Sequence, residues 1–488
     1  MLKIAKSRLQ TLNKALSITI TLAALFFSVG RVFSDDLSIG PAFCEFPLTI
    51  GTGHRKEILG PFYYNETNDE TGNVWALPPF FSHQEDPTID ETEDQSLYPI
   101  FSYVKYGTQY RAQFVELFSI AGGENPGEVH AHRLMVFPIY FQQRSSKTNE
   151  DYTAVFPFYG TVKNVLFRDK IFFVMFPAYS KTQLKDVVNY NYFFPFVNVR
   201  HGDGMHGWQF WPFYGKEHKV PTLVTNTWGV DTNGGHDQSF VMWPIHIRQN
   251  NGIGTPDPEK LRAELPFYAS DRSPLRDSTS VIWPFFNWID DREKNYREWE
   301  MPWPLIEVAH GQGKHALRIF PFYNHAYNDE MMDNFYLWPV YKYDAIHAPP
   351  LAWHRKRILF FLYQDTYEQN TETEKFRHRV DLWPFALYTR DFNGSSRLQI
   401  LALFETFVPD SPGIDRNWSP LWSIWRSEKN PTEGKNSQSV FWNLYRRDAA
   451  PGARKISCFF GLYQYQSNEE EKKLRLFYIP VMKRHNGQ

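Results

Sequence analysis

A short apolar motif recurs along the chain, and polar stretches separate its copies. Each copy has an apolar residue, an aromatic residue, proline, a second apolar residue and usually a second aromatic residue. Clear copies lie at residues 136–140, 155–159, 175–179, 210–214, 319–323 and 337–341. Most neighbouring motif prolines are about 17 to 23 residues apart. A fixed period of this length is typical of repeat architectures.

The motif prolines extend from the first part of the chain to residue 384. They are Pro61, Pro79, Pro99, Pro138, Pro157, Pro177, Pro195, Pro212, Pro244, Pro266, Pro284, Pro304, Pro321, Pro339 and Pro384. Nearer the C-terminus the proline is replaced while the apolar frame persists, as at residues 360–363, 403–405, 421–425, 441–445 and 459–463. The sequence therefore predicts about 22 units of roughly 20 residues.

Each unit is predicted to be one strand followed by a turn. Polarity alternates upstream of the motif, as in residues 189–192, which is typical of strands. Downstream, dipeptides such as Asp203-Gly204 and Pro451-Gly452 are turn signals. Because connections this short join antiparallel neighbours, we predict an all-β antiparallel meander.

The consecutive apolar positions of the motif predict strands that are covered on both faces at their centre. Proline cannot donate to a β-ladder, so each strand is expected to bend there, with the preceding aromatic residue packed across to the next layer. These features favour stacked sheets or a propeller-like ring. A large β-barrel is the alternative, because the strand count suits one, although membrane barrels alternate polar and apolar side chains.

The repeats resemble those of exported bacterial proteins built from tandem tryptophan-or-phenylalanine, proline, phenylalanine-or-leucine, tyrosine units, a group without a characterised family. The resemblance extends over most of the chain, but the motif is short. It implies a repeat fold, and it assigns no activity and no catalytic residue.

The N-terminus predicts export. Four basic residues precede an uncharged, largely apolar stretch at residues 15–30, and Val32 and Ser34 suit a cleavage site before Asp35. We therefore expect a signal peptide at residues 1–34 and a single all-β repeat domain at residues 35–488. The expected location is the periplasm, the outer membrane or the extracellular space. A retained anchor is the alternative.

Cys44 and Cys458 lie near the two ends of the mature chain. An oxidising compartment permits a disulfide, and a bond between these two residues would join the first strands to the last. Two buried, unpaired thiols are the competing interpretation.

Composition narrows the function classes. The chain is 17% aromatic, which favours half-buried strand surfaces. Its formal net charge is -2, and the mature region has no long run of Lys or Arg. Because a nucleic-acid partner normally requires a basic footprint, the sequence argues against one.

Glu128, His130 and His132 are the strongest candidate metal ligands. Alternate residues of a strand share one face, and two imidazoles with one carboxylate suit zinc or another divalent metal. A polar strand face in solvent is the competing interpretation. Two glycine-rich segments, 201–206 and 310–315, each begin and end with histidine and follow a motif proline in the same register, so both are expected at the same end of the array.

The leading functional hypothesis is a non-catalytic binding or scaffold protein of the bacterial cell envelope, with an envelope glycan or protein as partner. A uniform repeat without a distinguishable catalytic unit motivates it. An outer-membrane β-barrel protein and a secreted carbohydrate-active enzyme are the alternatives. For the enzyme, no sequence pattern selects a pair of carboxylates.

Overall fold

A computed structural model describes residues 38–68, 72–123, 131–146, 150–226 and 229–485. It confirms the predicted all-β antiparallel meander. The signal peptide lies outside the described residues. Within them, no helix is long and apolar enough to cross a bilayer.

Most strands have five to eight residues and are joined by short turns. They are β1 (Phe43–Pro47), β2 (Gly53–Ile58), β3 (Tyr63–Asn68), β4 (Gly72–Leu77), β5 (Phe81–Asp86), β6 (Glu91–Ser96), β7 (Phe101–Tyr106), β8 (Gln109–Phe114), β9 (Phe118–Gly122), β10 (Ala131–Val136), β11 (Tyr140–Ser145), β12 (Tyr152–Val155), β13 (Tyr159–Val165), β14 (Arg168–Val174), β15 (Tyr179–Leu184), β16 (Val187–Tyr192), β17 (Val197–Gly202), β18 (Met205–Phe210), β19 (Tyr214–Lys219), β20 (Thr222–Asn226), β21 (Gly229–Asn233), β22 (Gly235–Val241), β23 (His246–Ile253), β24 (Glu259–Glu264), β25 (Tyr268–Arg272), β26 (Arg276–Val281), β27 (Phe286–Asp291), β28 (Tyr296–Glu300), β29 (Ile306–Gly311), β30 (His315–Ile319), β31 (Tyr323–Tyr327), β32 (Met331–Tyr336), β33 (Tyr341–Ala348), β34 (Leu351–Ile358), β35 (Tyr363–Asn370), β36 (Phe376–Leu382), β37 (Ala386–Arg390), β38 (Ser396–Ile400), β39 (Trp425–Asn430), β40 (Lys435–Val440), β41 (Tyr445–Ala450), β42 (Ala453–Cys458), β43 (Tyr463–Ser467), β44 (Glu471–Leu476) and β45 (Ile479–His485).

The strands form one sheet of 43 strands, and each pairs with its neighbours in the chain. The hairpin of β20 and β21 is separate, so β19 pairs directly with β22. Among the described strands, β1 pairs only with β2 and β45 only with β44. Hydrogen bonding therefore does not close the sheet, and the closed alternative is not formed.

The apolar motif lies at turns, not at strand centres, which corrects the sequence-based expectation. Residues 137–139 connect β10 to β11, and residues 156–158 connect β12 to β13. Each unit therefore contains two strands and two kinds of turn, where the sequence predicted one strand and one turn. The peptide bond before most motif prolines is cis. Because the two turn types alternate, every motif turn lies on one rim of the sheet and every polar turn on the other.

The aromatic residue before the proline packs along the rim and not across to another layer. The rings of Phe156 and Phe176 are 5.5 Å apart, and those of Phe176 and Phe194 are 5.9 Å apart. Backbone hydrogen bonds follow the same path, since the Phe176 N–H donates to the Pro157 carbonyl at 2.7 Å. Backbone hydrogen bonds between neighbouring motif turns therefore extend the pairing of the strands into the turns.

The two faces of the sheet differ, which also corrects the expectation of strands covered on both sides. We call the face with the buried polar residues the inner face. Asn198, Ser280, Asn324 and Gln399 are examples, and all are less than 9% exposed. Apolar side chains also lie on this face in places, where Tyr152, Ala154, Val162 and Phe173 form a buried cluster. The opposite, outer face has large exposed apolar residues.

Residues 401–424 interrupt the repeat. The sequence predicted two degenerate copies here, but the segment forms the short helices α1 (Pro412–Asn417) and α2 (Ser419–Trp422). Asn417 is fully buried, and its side chain donates to Gln95 at 2.7 Å. The insertion therefore packs on the inner face of the first strands.

The first and last strands lie against each other through their inner faces. The guanidinium of Arg446 in β41 lies 3.3 Å from the centre of the Phe46 ring in β1. Thr49 donates to Ser437 at 2.6 Å. The two ends of the sheet are thus joined by side-chain packing, and we call this contact the seam.

The buried cluster gives a test of the face assignment. We expect Phe173→Ala to lower the free energy of unfolding by about 3 kcal/mol or more, because the ring is 5% exposed and its removal leaves a cavity. Phe167→Ala, in the turn between β13 and β14 where the ring is 96% exposed, is the matched control and should change stability by less than about 0.5 kcal/mol. Urea unfolding followed by circular dichroism measures both, and equal effects would contradict the assignment.

Candidate functional site

Only His132 of the predicted metal ligands is described, since Glu128 and His130 lie outside the described residues. The His132 side chain is exposed, and its Nδ1 lies 3.5 Å from the Tyr110 hydroxyl. The divalent metal site therefore stays a prediction.

The glycine-rich histidine segments lie on the same rim, as predicted. His201 and His206 face each other across the hairpin of β17 and β18, and His310 and His315 pack at 5.0 Å beside the turn between β29 and β30. Both turns are polar. Ten strands, β19 to β28, lie between the two hairpins, so the structure does not bring these pairs together.

The disulfide predicted between Cys44 and Cys458 is absent, and both residues are free thiols. Cys44 is buried on the inner face, and burial raises the pKa of its thiol. The register of β42 with β43 places Cys458 on the outer face, beside Tyr463. The two side chains therefore point to different faces, which explains the missing bond.

An acidic cluster on the inner face escaped the sequence analysis. The carboxylates of Glu298, Glu300 and Glu307 lie within 4.8 Å of one another. The Lys314 ammonium already contacts Glu298 at 2.9 Å and Glu307 at 2.7 Å, and Arg318 contacts Glu307 at 2.6 Å. Protein cations thus occupy the position that a metal ion would need, and the cluster is a buried ion-pair network.

A second carboxyl pair consists of Glu259 in β24 and Asp271 in β25. Both side chains lie on the inner face, on neighbouring strands. Burial and a hydrogen bond to Glu259 raise the pKa of Asp271 to about 7. Two carboxyl groups in hydrogen-bond contact share a proton. They are too close for the roughly 5 Å or more that separates the carboxylates of glycosidases, so this pair does not favour the enzyme alternative.

The seam contains a dense set of ion pairs around a cavity of about 120 Å³. Arg55 donates to Glu57 at 2.9 Å. Asn443, in the turn between β40 and β41, donates to the same carboxylate at 2.6 Å. Glu428 accepts from Arg426 at 2.8 Å and from Arg397 at 3.1 Å. These residues come from distant parts of the chain without a shared motif, which is why the sequence did not reveal them.

The electrostatics of the seam are balanced by its own residues. Burial opposes the charged form of Glu428, but attraction to Arg426 and Arg397 outweighs this effect and lowers the pKa of Glu428 to about 2. The lining charges are paired across short distances, so we interpret the seam as a contact that joins the sheet ends.

The rim of motif turns is a surface of exposed apolar residues. Except at Pro177, which Ala178 follows, the residue after the motif proline is large, apolar and 38% to 74% exposed. We call this set the crown: Phe62, Phe80, Ile100, Ile139, Phe158, Phe196, Phe213, Ile245, Phe267, Phe285, Leu305, Phe322, Val340 and Phe385. Because turns normally carry polar residues, a crown of this composition requires an explanation.

Most outer-face residues next to the crown are also apolar. Register places one residue of each strand in this rim row, and between β18 and β27 the row is Phe210, Tyr214, Val241, His246, Glu264, Tyr268, Val281 and Phe286. His246 and Glu264 are the polar pair of this row and contact each other at 2.6 Å. Crown and rim row together form an apolar band that this pair interrupts.

A comparison with known protein-family models and with curated proteins finds no match for this chain.

The raised pKa of Asp271 makes stability depend on pH. The folded state binds a proton more tightly than the unfolded state, so stability should fall as the pH rises from about 4 to about 7. We expect Asp271→Asn to flatten this fall, as measured by the thermal midpoint at each pH. Asp329→Asn, at an exposed turn, is the control and should follow the wild-type curve. A variant as pH-dependent as wild type would contradict the assignment.

The lowered pKa of Glu428 acts in the opposite direction. Its stabilising charge is fully present above about pH 4.5 and is lost as the pH falls towards 2. Glu428→Gln should therefore be less stable than wild type at pH 6, and the difference should shrink at pH 2 to 3. Urea midpoints at each pH measure this, with Glu372→Gln at an exposed turn as control. A constant difference at every pH would refute the seam interpretation.

Proposed function

We propose that the protein is a non-catalytic scaffold or binding protein of the bacterial cell envelope and that the crown attaches it to a lipid membrane. The observation that carries this proposal is the exposed, large apolar residue after the proline at the motif turns. Contiguous exposed apolar surface beyond a few hundred Å² marks a site of association.

The arrangement of the crown favours a membrane over a small ligand. Its residues come from turns spread along the chain from Phe62 to Phe385, so the apolar surface follows a whole rim. A pocket would gather such residues at one point. A bilayer is the apolar phase that can contact an extended rim, and burial of a phenylalanine side chain contributes on the order of 1.5–3 kcal/mol.

The inner face supports a role without catalysis. The carboxyl groups that it brings together, at Glu298 and Asp271, are engaged with Lys314 and Glu259. The cavity in the seam is lined by charges that are paired with one another. Both arrangements are typical of structural networks, which stabilise a fold without acting on a substrate.

Flotation with phosphatidylcholine vesicles tests the attachment. The variant replaces Phe158, Phe267, Phe322 and Phe385 by serine, and these rings are 57% to 74% exposed. We expect wild type to float with the vesicles and the variant to bind at least about 100-fold more weakly, because four apolar side chains are lost from the contact.

The control replaces two apolar residues away from the crown that are at least as exposed, Phe167 at 96% and Leu223 at 74% exposure, by serine. It should float like wild type. Circular dichroism checks that all variants keep the β-sheet. Absence of wild-type flotation, or flotation of the crown variant at the wild-type level, would overturn the proposal and favour a protein partner.

A further inference from the structure

We propose that the outer face beside the crown selects membranes with anionic lipid headgroups, through a row of cations that runs parallel to the crown. This inference rests on the proposed membrane attachment and names the lipid that the same surface recognises.

The row consists of Lys216, Arg248 and Arg262 and is formed by strand register. Lys216 pairs with Ser239, Ser239 with Arg248, and Arg248 with Arg262, so the four side chains lie side by side on the outer face of β19, β22, β23 and β24. We call the three cations the basic row.

The basic row is available for an external anion. All three side chains are exposed. Among the residues that the structure describes, none of the three forms a salt bridge. Inner-face cations behave differently, since Lys314 and Lys342 each contact two carboxylates within 3.0 Å. The three cations of the basic row thus differ from these inner-face cations in having no carboxylate partner among the described residues.

The position of the row matches the level of lipid headgroups. Each cation lies two residues along its strand from the rim row, which corresponds to about 7 Å. Apolar faces of interfacial proteins enter roughly 5–10 Å into the boundary between headgroups and acyl chains. When the crown residues Phe213, Ile245 and Phe267 contact acyl chains, the basic row reaches the phosphate level.

Aromatic residues at the same level support this depth. Trp208, Trp288 and Trp299 lie on the outer face, two residues from the rim, and are 38% to 52% exposed. Tryptophan is enriched at the membrane–water interface because its ring is apolar and its N–H is polar. The outer face thus changes from apolar to aromatic and basic within one strand.

The polar turns on the opposite rim provide a matched control. Lys185, Lys294 and Lys375 are exposed cations in these turns, a full strand length from the crown. A triple variant K185Q, K294Q and K375Q removes the same charge as K216Q, R248Q and R262Q. Both replacements leave the crown and the inner face unchanged.

The experiment measures binding to vesicles of phosphatidylcholine alone and to vesicles that also contain phosphatidylglycerol, at low and high salt. We expect wild type to bind the anionic vesicles more tightly, and the basic-row variant to lose about 100-fold of this affinity. Added salt should weaken wild-type binding to anionic vesicles, because charges near the surface are screened within about 10 Å at 0.1 M. Inorganic phosphate at the same ionic strength should have no additional effect.

Each remaining outcome decides between the two proposals. If wild type binds both kinds of vesicle equally and salt has no effect, the anionic selection is wrong and the attachment stands. If it binds neither kind, the attachment fails and the selection fails with it. Equal losses in the basic-row variant and the polar-turn variant would overturn the basic row as the recognition element.

Discussion

The alternation of two turn types along one antiparallel ladder is the constraint on which the structure depends. A unit of about 20 residues contains two strands, so every motif turn returns to the same rim. Side chains alternate between faces with a period of two, and a slip by one residue would move Tyr214 or Tyr268 from the outer face to the inner face. Spacing between the prolines therefore fixes the position of the crown and the chemistry of both faces.

The inner face tolerates its polar composition because its groups are paired. Asn324 is fully buried, and it donates to the Asp333 carboxylate at 2.9 Å and accepts from Arg318 at 3.2 Å. Asp381, also fully buried, accepts two hydrogen bonds from Arg379. Buried polar groups are costly only when they lack partners, so such networks allow a polar inner face beside an apolar outer face.

The sequence predicted the all-β meander and the shared rim of His201 and His310, since both follow from the period. It placed the motif at strand centres because five consecutive apolar residues in a turn have the same pattern as a strand covered on both faces. Asp203-Gly204 lies midway between Pro195 and Pro212, and this half-period turn signal indicates two strands per unit. The seam could not be predicted, because its charged residues meet only after the sheet brings distant strands together.

The net charge of the chain does not reveal the crown and the basic row, on which the functional proposals rest. The formal net charge of -2 averages over two faces with different chemistry. On the inner face, carboxylates such as Glu307 and Asp344 each contact more than one cation, whereas Arg248 and Arg262 lie exposed on the outer face. A near-neutral chain can therefore present a basic and apolar surface to a membrane, because membrane affinity depends on the face that a charge occupies and not on the sum of all charges.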